Sequence, residues 1–272
     1  MPRLEKYKTT TGAFLIRDLM RRIEKQKTYL AQGREQFVHF QLSHLYVKLG
    51  LTQYGLGRDY AEVVASLRMA TASFLTVFRL KGTTILSSEK HSKNLENLGL
   101  ATSSRDFAPD FGYTNSKESL FGIAIASLSN QPDDARRIAS LAGSPPHVSL
   151  PNDRILESAF KAYFSNDMRE VEKHLGCIQV DEDPWYEHMR DGFLALLSRS
   201  TAQYADAVEG MLALHSREAA TDLHKHDPLY NLCYHMMALA VLAVREQVFS
   251  MEDIPDRPPY FPREFIEYVP KQ

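Results

Sequence analysis

The sequence predicts an all-α protein in which stacked helical hairpins pack on a buried C-terminal helix. Two observations predict it. Residues 227–247 place Leu229, Leu232, Cys233, Met236, Met237, Ala240, Val241 and Val244 at alternating steps of three and four, one face of a helix. Tyr230, Tyr234, Ala238 and Leu242 make the opposite face apolar too, so other elements or lipid must surround this helix. The unbroken apolar run is only Met236 to Val244, well short of the roughly 18–20 residues that span a bilayer, so helices are the expected neighbours. Second, small-residue turns at Asn130, Asn166 and Thr201 are spaced 36 and 35 residues apart, the period of tetratricopeptide-like helical hairpins. The signature residues of that repeat are absent, so hairpin stacking alone is expected.

In chain order, residues 13–31 read as a helix with Leu15, Leu19, Ile23 and Leu30 inward and Arg17, Arg21, Arg22, Lys25 and Lys27 outward. No aromatic residues interleave with that basic face as a nucleic-acid platform requires, so a solvated face is the reading. A second helix from about Arg34 to Lys48 is expected to stop at Gly50, with Gly55 and Gly57 in the following loop. Asp59 and Glu62 form a capping-box-like start to a third helix, carrying Val63, Val64, Leu67, Ala70, Phe74 and Phe78. Residues 81–113 are polar, without a period, and coincide with a change in charge. That places a boundary between an N-terminal subdomain (1–112) and a helical-hairpin subdomain (113–272), with one continuous domain as the alternative.

Three hairpins follow. Asn115 and Glu118 cap the first, which turns at Ser129-Asn130-Gln131-Pro132 and ends at Gly143. The second carries Leu156, Phe160 and Tyr163, turns at Ser165-Asn166, and closes at Gly176. The third carries Phe193 and Leu196, turns at Ser200-Thr201, and continues through Tyr204, Val208 and Met211. Asp227 and Pro228 are suited to N-cap and first helical residue of the buried helix. The tail Ile254-Pro255-Asp256-Arg257-Pro258-Pro259-Tyr260-Phe261-Pro262 has too many prolines for a helix and reads as an aromatic strap across the core.

Net charge is −2, but residues 1–100 carry +8 and residues 101–272 carry −10. Such asymmetry points either to self-association or to an acidic face that meets a basic partner. Two cysteines, Cys177 and Cys233, are too few for a disulfide framework and fit reduced thiols in a cytoplasmic protein. The N-terminus lacks the apolar segment of a secretory signal. No Gly-rich phosphate loop, G-x-S-x-G elbow or H-E-x-x-H occurs, so no catalytic residue and no cofactor is assigned.

His215, His224 and His226, with Asp222 and Asp227, come nearest to a metal cluster. Lys225 places a cation between two of the imidazoles, and a linker before the buried helix is the simpler reading, so no metal is assigned. His235, inside the apolar helix, reads as a hydrogen-bonded core residue. Asp181, Glu182, Asp183, Trp185 and Glu187 form the best recognition candidate, an anionic patch with an aromatic anchor. The competing reading is an N-cap cluster at the Pro184 helix start with a core tryptophan.

Segments 118–143, 153–176 and 229–268 combine paired short helices, an Ala/Leu-rich penultimate helix and the tail I-P-D-R-P-P-Y-F-P-R-E-F-I. In these features the chain resembles the immunity 49 family, all-helical immunity proteins of bacterial polymorphic toxin systems. The resemblance covers roughly residues 110–270. It implies a cytoplasmic antitoxin that neutralises a cognate toxin, often a nuclease, by stoichiometric binding, with no catalytic residues to carry over. An acidic face would then mimic the phosphate that such a toxin grips. No direct nucleic-acid or membrane partner is expected, and a homodimer stays open. The alternatives are a peptide-binding helical-hairpin scaffold and a helical metal enzyme centred on His215, His224, His226 and His235.

Overall fold

A computed structural model describes residues 11–30, 35–80, 111–143, 149–180 and 183–271. The described residues are all-α. Three N-terminal helices, α1 (Thr11–Thr28), α2 (Glu35–Gly55) and α3 (Tyr60–Arg79), precede three hairpins. These are α4 (Ser116–Leu128) with α5 (Pro132–Leu141), α6 (Pro151–Phe164) with α7 (Met168–Leu175), and α8 (Pro184–Ser198) with α9 (Thr201–Ala219). The buried rod is α10 (Tyr234–Arg245), and α11 (Arg263–Tyr268) closes the chain. Among the described residues the one β-type pairing is an isolated bridge between Arg257 and Phe261.

The hairpin turns share one backbone device. In each, a residue with left-handed φ lets the following N–H reach back five residues to an alanine carbonyl, the Schellman closure. Asn130 (φ 56) sets up Gln131 N to Ala126 O at 2.9 Å, and Asn166 (φ 59) sets up Asp167 N to Ala162 O at 3.0 Å. Arg199 (φ 55) does the same for Ser200 N to Ala195 O at 2.9 Å. The third turn therefore pivots on Arg199, two residues before the expected Thr201. Gln247 (φ 56) ends α10 in the same way, with Val248 N on Ala243 O at 2.8 Å.

Two boundaries differ from the sequence expectation. Helix α2 runs through Gly50 to Gly55. Gly50 is there for close approach, since a Cβ on it would stand 3.2 Å from the Val63 carbonyl and 3.2 Å from the Leu67 side chain. The rod is not continuous from Asp227. Pro228–Asn231 is a separate 3-10 turn, whose cap Asp227 accepts from Leu229 N, and Leu232 is extended before α10 begins at Tyr234. The break is held by tertiary bonds that a continuous helix could not make. Asn231 Nδ2 donates to Leu51 O at 2.6 Å, and Cys233 N donates to Tyr260 O at 2.8 Å.

Helix α10 is enclosed as expected, with every residue from Met236 to Ala243 buried. Helix α4 is enclosed equally: Ser119 to Leu128 are all buried, between α3, α5, α6 and α10. The core therefore rests on two apolar helices. Its hydrophobic cluster runs without interruption from Leu19 in α1 to Val269. Polar links also join the first three helices to the rest: Thr71 Oγ1 with Ser129 Oγ at 3.0 Å, and Arg68 Nε to Ser129 O at 3.1 Å. Helix α3 is long and apolar enough to cross a bilayer, yet Val63, Leu67, Phe74 and Phe78 are buried inside this core.

The tail is the expected strap. Ile254, Phe261, Phe265 and Ile266 are fully buried, and the Tyr54 hydroxyl donates to Pro259 O beneath it.

Candidate functional site

The N-terminal ends of α4, α6, α8 and α10 carry the polar and aromatic groups that the core does not absorb. The Asn115 side chain accepts from Glu118 N at 2.9 Å and begins α4, which leaves Lys117 exposed and Glu118 half-buried. Glu118 Oε2 meets His44 Nε2 of α2 at 2.9 Å. At the start of α6, the Asn152 side chain clamps the Gln179 backbone on both sides, Nδ2 to O at 2.8 Å and N to Oδ1 at 3.0 Å. Beside it, buried Asp153 accepts from the Tyr186 hydroxyl at 2.9 Å. Burial raises the Asp153 carboxyl above the usual range, against the lowering effect of that hydroxyl and of Lys117.

Aromatic rings join these ends into a ladder. Phe37 lies 5.8 Å from Tyr113, Tyr113 lies 4.7 Å from Phe40, and Phe40 lies 4.7 Å from His44. His44 meets Phe121 at 5.3 Å, and Phe121 meets Tyr234 at 5.1 Å. Tyr234 then meets His235 at 4.3 Å, His235 meets Trp185 at 5.0 Å, and Trp185 meets Tyr186 at 5.1 Å. Phe121 and Tyr186 are buried, Phe37 is exposed, and the other rings are half-buried, so the ladder dips into the core between its two ends. Spacings of this size are those at which aromatic pairs attract beyond their burial, by about 0.5–1.5 kcal/mol each.

The residues singled out from sequence fall as follows. Asp183 is exposed and caps α8, its Oδ1 accepting from Trp185 N at 2.9 Å. Trp185 is half-buried and packed against the core, and Glu187 lies one turn beyond Asp183. Asp181 and Glu182 lie outside the described residues. The Asp183 cap expected from sequence is present, and Trp185 packs against the core beside it at one end of the ladder.

His215, His224 and His235 are all engaged with aromatic rings. His224 stacks on Tyr230 at 4.3 Å, while the His215 ring lies 5.1 Å from Tyr260 and its Nε2 is 3.2 Å from Tyr230 O. Burial, with His215 and Lys117 nearby, lowers His235 to about 3, so it is neutral near pH 7. Among the described residues no group of three His, Cys, Asp or Glu converges as a metal site. Cys233 is buried and its thiol is pushed up to about 12 by burial, which makes it unreactive. Cys177 is exposed, and its Sγ donates to Lys173 O at 3.3 Å. A depression of about 280 Å³ on α6 and α7, lined by Lys161, Ser165, Glu170 and His174, opens to solvent.

The sequence points to Trp185 and Asp183 as recognition candidates and to His235 as a core residue, and it does not single out His44, Phe40, Tyr113 or Phe121. Phe40 and His44 share an i, i+4 spacing on α2, but Tyr113 and Phe121 lie on two other elements, so only the fold brings the four together. The adjacent pairs Trp185–Tyr186 and Tyr234–His235 are local signs of the ladder. Comparison with known proteins returned no matching family model, no matching curated protein and no matching solved structure.

Proposed function

We propose that this chain is an immunity protein that neutralises a toxin by stoichiometric binding, with the aromatic ladder as its contact surface. The observation that carries this reading is the ladder itself. Tyr113, Tyr234, His235 and Trp185 are half-buried, and their mutual packing lowers the conformational entropy that ordering them at an interface would cost. Tyrosine and tryptophan anchors of this kind dominate binding energy at protein interfaces. The resemblance of residues 118–143, 153–176 and 229–268 to the immunity 49 family supports the same reading. Those segments form the first two hairpins, α10, the strap and α11.

Charge decides between a protein and a nucleic acid as the partner. A stacking platform for a single strand sits in a positive groove. Along this ladder Glu118, Asp153, Asp183 and Glu187 stand against Lys117, so a basic protein surface is the better complement. A toxin domain, to be sought in the neighbouring reading frames, provides the test. Co-expression with this chain is expected to restore growth and to give a stable complex. Continued toxicity with both proteins present and no complex on gel filtration would overturn the reading.

A further inference from the structure

We infer that the Trp185 end of the ladder is a seat for an arginine side chain presented by the bound partner. This rests on the protein-binding reading of the ladder and adds the chemistry of the central contact. Trp185 is half-buried, and two rings stand nearly perpendicular to it, Tyr186 at 88° and His235 at 80°. Neither stacks face to face on the indole. A guanidinium is drawn to an indole face by the ring quadrupole and, being planar, lies flat on it.

A carboxylate is placed to receive the guanidinium fork. Asp183 is exposed, and its cap to Trp185 N uses Oδ1, so the carboxylate is fixed within two residues of the ring. Glu187 follows one turn later on the same helix. Asp153 lies behind, close enough to Asp183 for the two to repel, and is held by the Tyr186 hydroxyl. Lys117 acts on both Asp153 and His235 without forming an ion pair with either. The seat therefore combines an aromatic face, a rigid carboxylate and a negative field. Arginine suits it better than lysine, whose compact ammonium is more strongly hydrated and cannot form a bidentate pair.

Trp185 is the one tryptophan in the chain, so intrinsic fluorescence reads this seat directly. The probe is acetyl-Gly-Arg-Gly-amide titrated at low salt, with the citrulline tripeptide as the uncharged isostere and oligothymidylate as the anionic stacking control. The arginine peptide is expected to change the emission saturably, with the citrulline peptide at least about fivefold weaker. Asp183→Asn preserves the N-cap, because asparagine caps as well as aspartate, and is expected to weaken the arginine peptide at least about threefold. Equal responses to arginine and citrulline, saturable binding of oligothymidylate in preference to the peptide, or an unchanged Asp183→Asn variant would each overturn the inference. Failure here with intact toxin neutralisation refutes the arginine seat alone. Arginine binding without neutralisation refutes the antitoxin reading alone.

Discussion

Trp185 of α8 and His235 of α10 meet edge to face, their ring centroids 5.0 Å apart and their planes at 80°. This contact joins the last hairpin to the central rod, and burial keeps His235 neutral within it. His235 is lowered from 6.5 to about 3, so below pH 6.5 the unfolded chain takes up a proton that the folded chain refuses. Its contribution is complete above pH 6.5 and is lost as pH falls toward 3. At pH 5 the loss is about 2 kcal/mol, from about 1.4 kcal/mol per pH unit. Urea unfolding at pH 7 and pH 5 is expected to show this loss in the native chain and not in His235→Phe. Equal pH dependence in both would contradict it. His39 is also lowered by burial, but it is present in both proteins and cancels from the comparison.

The left-handed turn residues give a second prediction. Arg199 holds φ 55 at an exposed turn, a conformation that disfavours side chains other than glycine, asparagine and aspartate. Arg199→Gly is expected to raise stability by about 0.5–1 kcal/mol, while Asn130→Gly changes it less. Chemical denaturation of both variants checks the order.

Gly50 and Gly176 separate packing from backbone freedom. A Cβ at Gly50 presses on the Val63 backbone carbonyl, whereas Gly176 has φ −65 and only ordinary contacts at 3.4 and 3.6 Å. Gly50→Ala is expected to cost about 1–3 kcal/mol by forcing α2 from α3. Gly176→Ala is expected to be neutral or stabilising by up to about 1 kcal/mol. The two melting temperatures, measured side by side, decide the point.

The Asn152 clamp carries a fourth prediction. Both of its bonds go to the Gln179 backbone, between α7 and α8, so Asn152→Ala strands an N–H and a C=O together. The expected loss is about 2–3 kcal/mol. Asn152→Asp keeps the acceptor and loses the donor, and is expected to fall between the two. An Asn152→Ala variant as stable as the native chain would rule the clamp out as a structural element.

Much of the architecture was legible because it rests on local signals. The Asn115 and Asp59 caps, the turns at Asn130 and Asn166 and the enclosed residues of α10 all follow from spacing and turn chemistry. What the sequence hides is set by distant contacts. Gly50 reads as a helix stop until the Val63 carbonyl lies across it, and residues 227–247 read as one helix until Leu51 O and Tyr260 O claim Asn231 and Cys233. The candidate site divides in the same way. Its Trp185 end is contiguous in sequence, but the pairing of His44 with Glu118 spans 74 residues and leaves no periodic trace.

The most direct measurement is a hydrogen-exchange footprint of the chain in complex with a toxin domain that it neutralises. The ladder account predicts that protection on binding concentrates in residues 113–121, 183–187 and 230–236. Protection confined to α1 or to the outer helices α5, α7 and α9, with those three segments unchanged, would contradict it.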